Sequence, residues 1–364
     1  MKTAPRAQDV ADLAQVSQSA VSRTFTPGAS VSEEMRRKVL AAAQRLGYRP
    51  NALARSLITR QSRIVALVMS YLENQFYPLV IEKLSQKLQK EGYHVLMFIA
   101  NIDEGADGVL ADILQYQVDG IVLASAMLSP TLAKSCLDVG VPVVQFNRIS
   151  DLAGLARYAT GSVTSDNAAG GRMAAELLVA RGYRRIAFLA GLEDSSTSRE
   201  RERGFNQALA ELGTRAACRD TGNYSFAGAQ DAVRRLFDRA DRPDAVFVAN
   251  DHMAIAAMDV LRLELGLRIP EDVGVIGFDD VPQAAWGAYQ LTTVCQRVEP
   301  MVDAAVTLLR ERMSGQAPAR DIVVPCVLVE RKTVRPAAPT ASGSPPGTGT
   351  RRVRRGASPE GDPG

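Results

Sequence analysis

The 364-residue chain contains only four cysteines, two histidines and one tryptophan. Cys136, Cys218, Cys295 and Cys326 are widely separated, which argues against a disulfide or zinc framework. His94 and His252 are too few for a His-rich metal centre, so neither a metal nor a cofactor is expected. No uninterrupted apolar run approaches the roughly 20 residues of a membrane-spanning helix. The opening residues, MKTAPRAQDVADLAQ, lack the apolar stretch of a secretory signal. These absences lead to the expectation of a cytoplasmic chain with no membrane partner.

What the sequence does have is an uneven charge distribution. Residues 1–62 hold ten Lys/Arg against four Asp/Glu, a balance of +6. Residues 63–334 hold 28 against 34, and residues 335–364 hold five against two. The whole-chain charge of +3 conceals a basic head on an acidic body. That pattern suits a nucleic-acid module joined to a part that binds something else.

Local signals divide the chain further. Residues 1–49 read as three short helices, a helix-turn-helix arrangement. The first spans Gln8–Ala14, with Val10, Leu13 and Ala14 on one side. Ser17 can cap the second, which runs through Val21 to Phe25 and is broken at Thr26-Pro27-Gly28. Ser32 can cap the third, with Glu33 and Glu34 in its first turn and Met35, Val39, Ala42 and Leu46 at helical spacing before Gly47. Residues 50–62 form a short amphipathic hinge segment, too brief to be a stable helix alone.

Between 63 and 334, apolar runs at Ile64–Met69, Val95–Ile99, Gly120–Ala124 and Val141–Phe146 alternate with helical stretches such as Tyr77–Glu91. A second set lies at Ile186–Ala190, Ala245–Ala249 and Val273–Phe278, with a helix at Ala168–Arg181. This alternation predicts an α/β body of two doubly wound parallel-sheet lobes facing a cleft. Residues 335–364, with six Pro and six Gly, read as a disordered tail carrying the Arg351-Arg352-Val353-Arg354-Arg355 cluster.

The head, DVADLAQVSQSAVSRTF followed by VSEEMRRKVLAAAQRLGYRPNALARSL, resembles the LacI/GalR family of transcription regulators. The body adds QFYPLVIEKL, VDGIVL, VPVVQFNR, SDNAAGGRMAAELLVARGYRRIAFLAG, RERGF, FVANDHMAIAAM, IPEDVGVIGFDD and LTTVCQ in that family's order. The resemblance implies a homodimeric repressor that reads a pseudo-palindromic operator and answers to a small effector. It also implies a periplasmic-binding-protein-like body.

For DNA, the resemblance places Ser17, Gln18, Ser19, Ser22 and Arg23 on the helix that enters the major groove. Gln can pair with adenine and Arg with guanine, while serines suit phosphates or bases. In the hinge it points to Asn51, Ala54 and Arg55, and to Leu57 as a minor-groove wedge. Gln15 stands where the family often has glycine.

For the effector, the resemblance together with strand-end positions selects Phe76, Tyr77, Asn147, Arg148, Arg201, Tyr224, Asn250, Asp279, Trp286 and Gln296. Aromatic faces with Asn, Asp and Arg suit a polyhydroxylated ligand: a sugar, sugar acid or sugar phosphate. The competing reading is that Phe76 and Tyr77 are core and Asp279 a strand-end cap. Cys295 and Arg297 depart from the family pattern beside Gln296.

Two other classes compete. Asp251-His252 and Asp279-Asp280 invite an enzymatic reading, but no nucleophile partner, P-loop, G-x-G-x-x-G or G-x-S-x-G motif accompanies them. An exported solute-binding protein would share the body, yet would not carry a basic helical head.

Overall fold

Ser17 and Ser32 each begin a helix by accepting a backbone N–H. The Ser17 hydroxyl accepts from Ala20 at 3.2 Å at the start of α2 (Gln18–Thr24). Ser32 does the same for Met35 at 3.3 Å, starting α3 (Glu33–Leu46), which Gly47 closes with φ 68°. The preceding α1 (Ala7–Ala14) is closed by Gln15 at φ 56°, ψ 48°. A side chain in that left-handed turn costs about 1–2 kcal/mol. Val10, Ala11, Val21, Val39, Ala42 and Ala43 form the head's core, flanked by Phe25 and Tyr48 with ring centroids 5.8 Å apart. Leu13 and Leu46, expected on apolar stripes, stay exposed at the rim of this small core.

The computed structural model describes residues 5–26, 28–50, 61–70, 72–100, 106–125, 127–151, 160–316 and 318–337. Within the body the described strands form two six-stranded sheets. The first holds β1 (Ile64–Met69), β2 (His94–Ile99), β3 (Gly120–Ala124), β4 (Val143–Phe146), β5 (Thr160–Ser165) and β11 (Asp321–Val324), in the order β11-β5-β4-β3-β1-β2 and all parallel. The second holds β6 (Ile186–Ala190), β7 (Cys218–Thr221), β8 (Ala245–Val248), β9 (Gly274–Asp279), β10 (Thr292–Cys295) and β12 (Val327–Val329), ordered β12-β10-β9-β8-β6-β7. Only β12 runs antiparallel to its neighbour there. Fully buried central strands such as β3, β6 and β8 explain the unbroken apolar runs.

The chain crosses between lobes three times: after β5, after β10, and between β11 and β12. Helix α4 (Phe76–Lys90) and α11 (Val298–Met313) pack together on the first sheet, with α5 (Asp107–Gln115) and α6 (Pro130–Asp138) completing that lobe. In the second lobe, α7 (Asn167–Ala180), α8 (Ser196–Glu211), α9 (Phe226–Phe237) and α10 (Asp251–Asp259) cover the sheet. Strands β5, β7, β10, β11 and β12 are absent from the apolar runs. Strand β5, TGSVTS, is buried but polar, and its Ser162 hydroxyl donates to Asp321 Oδ1 at 2.6 Å. Buried polar groups survive because they are bonded.

The closest helix pair is α7 on α8, where the two backbones meet at glycines. A Cβ on Gly204 would overlap the Ala168 carbonyl oxygen, and one on Gly171 would overlap that of Arg201. Both obstacles are backbone, which cannot swing aside. Gly204→Ala is therefore expected to lower unfolding stability by at least about 2 kcal/mol, at the upper end of overpacking costs. Urea denaturation of the full chain checks this; a loss under about 0.5 kcal/mol, the usual range for a surface substitution, would show that the helices can separate freely.

Candidate functional site

The polar face of α2 points away from the head. Ala20, Val21 and Thr24 are buried, whereas Ser17, Gln18, Ser19, Ser22 and Arg23 are exposed. The Ser17 hydroxyl is already engaged, capping the helix and lying 2.9 Å from the Ser19 hydroxyl. Gln18 and Arg23 thus present long donors and acceptors on a rigid helix, the geometry groove reading requires. Asn51, Ala54, Arg55 and Leu57 lie outside the described residues.

A cavity opens between the two lobes, at the carboxyl ends of the strands. From the first lobe it is lined by Asn74, Tyr77, Ser125, Asn147 and Arg148; from the second by Leu192, Thr197, Arg201, Asn223, Tyr224, Asn250 and Asp279. Half of the ten described non-glycine residues with positive φ line it: Ser125, Asn147, Asn223, Tyr224 and Asp279. Backbone strain of this kind collects at binding sites, where packing enforces it.

Arg201 anchors the floor. It is 2% exposed, donates from Nε to Asn167 Oδ1 at 2.8 Å and from Nη1 to the Ala249 carbonyl, and lies 3.6 Å from the centroid of the Phe278 ring. Its charge partner is the Asp279 carboxylate at 3.7 Å. Asp279 in turn accepts from Gln296 Nε2 at 2.6 Å and, across the lobe boundary, from Asn74 Nδ2 at 3.2 Å. Burial raises the Asp279 carboxyl to about 6, against the opposing pull of Arg201, Gln296 and Asn74.

Behind it lies Asp251, fully buried, accepting from the Thr293 hydroxyl at 2.6 Å and Val281 N–H at 3.0 Å. Burial, reinforced by the Asp279 charge, pushes Asp251 to about 7. It ties the loop after β9 to β10. A Cβ at Gly277 would overlap its carboxylate, which explains the glycine in VIGFDD.

On the opposite wall, the Tyr77 hydroxyl accepts from Asn147 Nδ2 at 3.2 Å, and burial raises its pKa. Tyr224 rests flat against Gly191, where any Cβ would overlap the ring, and its hydroxyl lies 2.9 Å from the Thr197 hydroxyl. The Arg148 guanidinium reaches across the boundary to 5.9 Å from the Tyr224 ring centroid. Ile149 N–H also bridges the lobes, donating to the Ser196 hydroxyl at 2.9 Å.

Six of the ten effector candidates line this cavity together with Tyr77, and three do not. Phe76 does not share the wall with Tyr77: both begin α4, where successive side chains point about 100° apart. Phe76 turns into the core, packing edge-on against Tyr77. Trp286 is 55% exposed outside the cavity, because the short helix Pro282–Ala285 and the Gln290-to-Ala285 bond carry its loop away. Gln296 sits behind the wall, where Ser165 donates to its Oε1 at 2.7 Å while it holds Asp279.

Asn74, Ser125, Leu192, Thr197 and Asn223 were not anticipated. Thr197 had a readable signal, lying one helical turn before Arg201 on the same face.

Known proteins can be set beside this geometry. Residues 7–51 match the family model described as bacterial regulatory proteins, lacI family, and residues 150–334 match a periplasmic binding protein-like domain. The HTH-type transcriptional regulator CelR of Thermobifida fusca is 35% identical over 323 residues, covering 86% of this chain and 93% of that protein. The chain belongs to the lacI family. This LacI-family protein is a sequence-specific DNA-binding transcriptional regulator.

Its fold is similar to a solved complex of transcriptional regulator CelR with cellobiose, at TM-score 0.68 and 31% identity, covering 90% of this chain and 99% of that one. It is also similar to the lac repressor dimer bound to operator and an anti-inducer, at TM-score 0.80 and 26% identity, covering 91% and 99%. No described helix is long and apolar enough to cross a membrane.

Their raised pKa values make the Asp251 and Asp279 carboxyls of this LacI-family body bind more protons folded than unfolded above the ordinary carboxylate range. The contribution of Asp251 to stability is therefore lost as pH rises above that range. Asp251→Asn should gain stability relative to the parent between pH 5 and pH 8, read by parallel thermal melts. A difference that stays constant with pH would mean that Asp251 titrates normally.

Proposed function

We propose that this regulator is a homodimeric repressor whose operator affinity is set by a polyhydroxylated effector, a sugar or sugar derivative, held in the inter-lobe cavity. The observation that carries this reading is a set of unpartnered polar atoms at the cavity wall. Asn147 Oδ1, Arg148 Nε and Asn250 Nδ2 are buried without a partner among the described residues. Buried orphans of this kind cost about 1–3 kcal/mol each, so they fit a site completed by ligand. The aromatic walls of Tyr77 and Tyr224 suit the apolar faces of a sugar ring. Two similar solved regulators support the class: one is bound to cellobiose, another to ribose.

On this reading Tyr77, Asn147, Arg148, Arg201, Tyr224, Asn250 and Asp279 hold the effector, with Gln296 positioning Asp279. Residues 1–49 read half-sites through Gln18, Ser19, Ser22 and Arg23. Residues 50–62 couple the head to the body, with Leu57 as wedge beside Asn51, Ala54 and Arg55. Effector and operator are then linked by a free energy of about 1–3 kcal/mol, equal in both directions. No catalytic step is assigned to Asp251, which is committed to Thr293 and Val281.

Asn250→Ser keeps an oxygen that can cap Met253 N–H, as Asn250 Oδ1 does at 3.0 Å, and removes the orphan amide. Among sugars screened by thermal shift, any that binds the parent should bind this variant at least about tenfold more weakly, as for a lost hydrogen bond of about 1.4 kcal/mol. Unchanged affinity would exclude the cavity as the effector site. Gln18→Ala should weaken operator binding by about tenfold or more, for a bidentate base contact of 1–3 kcal/mol, in a gel-shift titration. It should leave effector affinity untouched; loss of both would contradict the division of labour between head and body.

A further inference from the structure

We propose that the effector is an anion, a polyhydroxylated molecule carrying a carboxylate or phosphate group that Arg148 binds. This rests on the cavity being the effector site and goes on to assign the ligand's charge. The argument is one of counting charges at the wall. Arg201 and Asp279 face each other at 3.7 Å and are further tied down by Asn167, Ala249, Gln296 and Asn74, so they neutralise one another. Arg148 has no such counterpart. It is 8% exposed, lines the cavity, forms no ion pair with a described residue, and leaves its Nε without an acceptor.

Its one described contact inside the cavity is the face of Tyr224, with the guanidinium carbon 5.9 Å from the ring centroid, near the outer limit for such an attraction. A buried cation without an anion is an unfavourable arrangement, and guanidinium matches the two oxygens of a carboxylate or phosphate in geometry as well as charge. The Asp251 carboxyl behind Asp279 does not line the cavity, and its two oxygens are committed to the Thr293 hydroxyl and the Val281 N–H.

The orphaned groups also match the pattern. Arg148 Nε and Asn250 Nδ2 are donors, which an acceptor-rich anionic group satisfies. Asn147 Oδ1 is an acceptor, which a hydroxyl satisfies. A neutral sugar would meet Asn147 and Asn250 but leave the Arg148 charge buried and uncompensated.

The test is isothermal titration of the full chain with matched probes: D-glucose against D-gluconate, D-glucuronate and D-glucose 6-phosphate; D-ribose against D-ribonate and D-ribose 5-phosphate; cellobiose against cellobionate. At least one acid or phosphate is expected to bind about tenfold or more tightly than its neutral parent, with the carboxylate and phosphate arms separating the two sources. Arg148→Met should erase that preference to within about threefold, and Arg148→Lys, which keeps the charge but not the fork, should retain part of it. A neutral parent that binds as tightly as its anions would overturn the anion assignment while leaving the sugar-site reading intact. An anion preference that survives in Arg148→Met would also overturn it. Silence from every probe would remove both readings.

Discussion

The burial of one guanidinium organises the body of this protein. Arg201 can be placed almost out of reach of water only if its charge and donors are matched, because an ionised group left alone in the interior is prohibitively unstable. The matching draws on three separate stretches of chain: Asn167 at the head of α7, Ala249 just after β8, and Phe278 with Asp279 at the end of β9. The glycine contact between α7 and α8 brings Arg201 to Asn167. Gln296 and Asn74 then hold Asp279, one from a lobe crossing and the other from the opposite lobe. The cavity floor and the contact between lobes are therefore parts of one electrostatic arrangement.

That arrangement explains how occupancy of a small space can be felt at a distance. Among the described residues, the contacts that span the lobes beside the cavity include Asn74 to Asp279, Glu73 to His252, Ile149 to Ser196, and Arg148 over Tyr224. Each begins or ends at the cavity or next to it. A ligand that competes for or reinforces these contacts biases the angle between two otherwise rigid sheets, the kind of hinge on which population shifts operate.

Much of this was legible in the residues, and the failures have physical causes. The head's caps, Ser17, Ser32 and Gly47, work through local hydrogen bonds and positive φ, so they are visible in a short window. Doubly buried strands announce themselves as apolar runs, as β1, β3 and β6 do. Strand β5 does not, because its serines and threonines are satisfied by partners up to 159 residues away, such as Asp321. The cavity-lining residues at strand ends, Asn147, Asn250 and Asp279, could be found from the rule that ligands gather there. Phe76 and Trp286 lie off the cavity wall, since their placement depends on helical phase and on the path of a loop. Asn74 and Ser125 belong to the cavity only through tertiary placement, and no short pattern marks them.

The interleaving of the lobes has a temporal consequence. The first sheet needs β11, and the second needs β12, so neither lobe owns a continuous stretch of chain. On a ribosome the three-helix head is complete once about 50 residues have emerged, whereas the first lobe waits for Val324 and the second for Val329. Any translation product that ends before that point carries an intact head on a body with unfinished sheet edges. In such a fragment β5 or β10, which β11 and β12 otherwise cover, is left as an unpaired edge, a feature that favours aggregation.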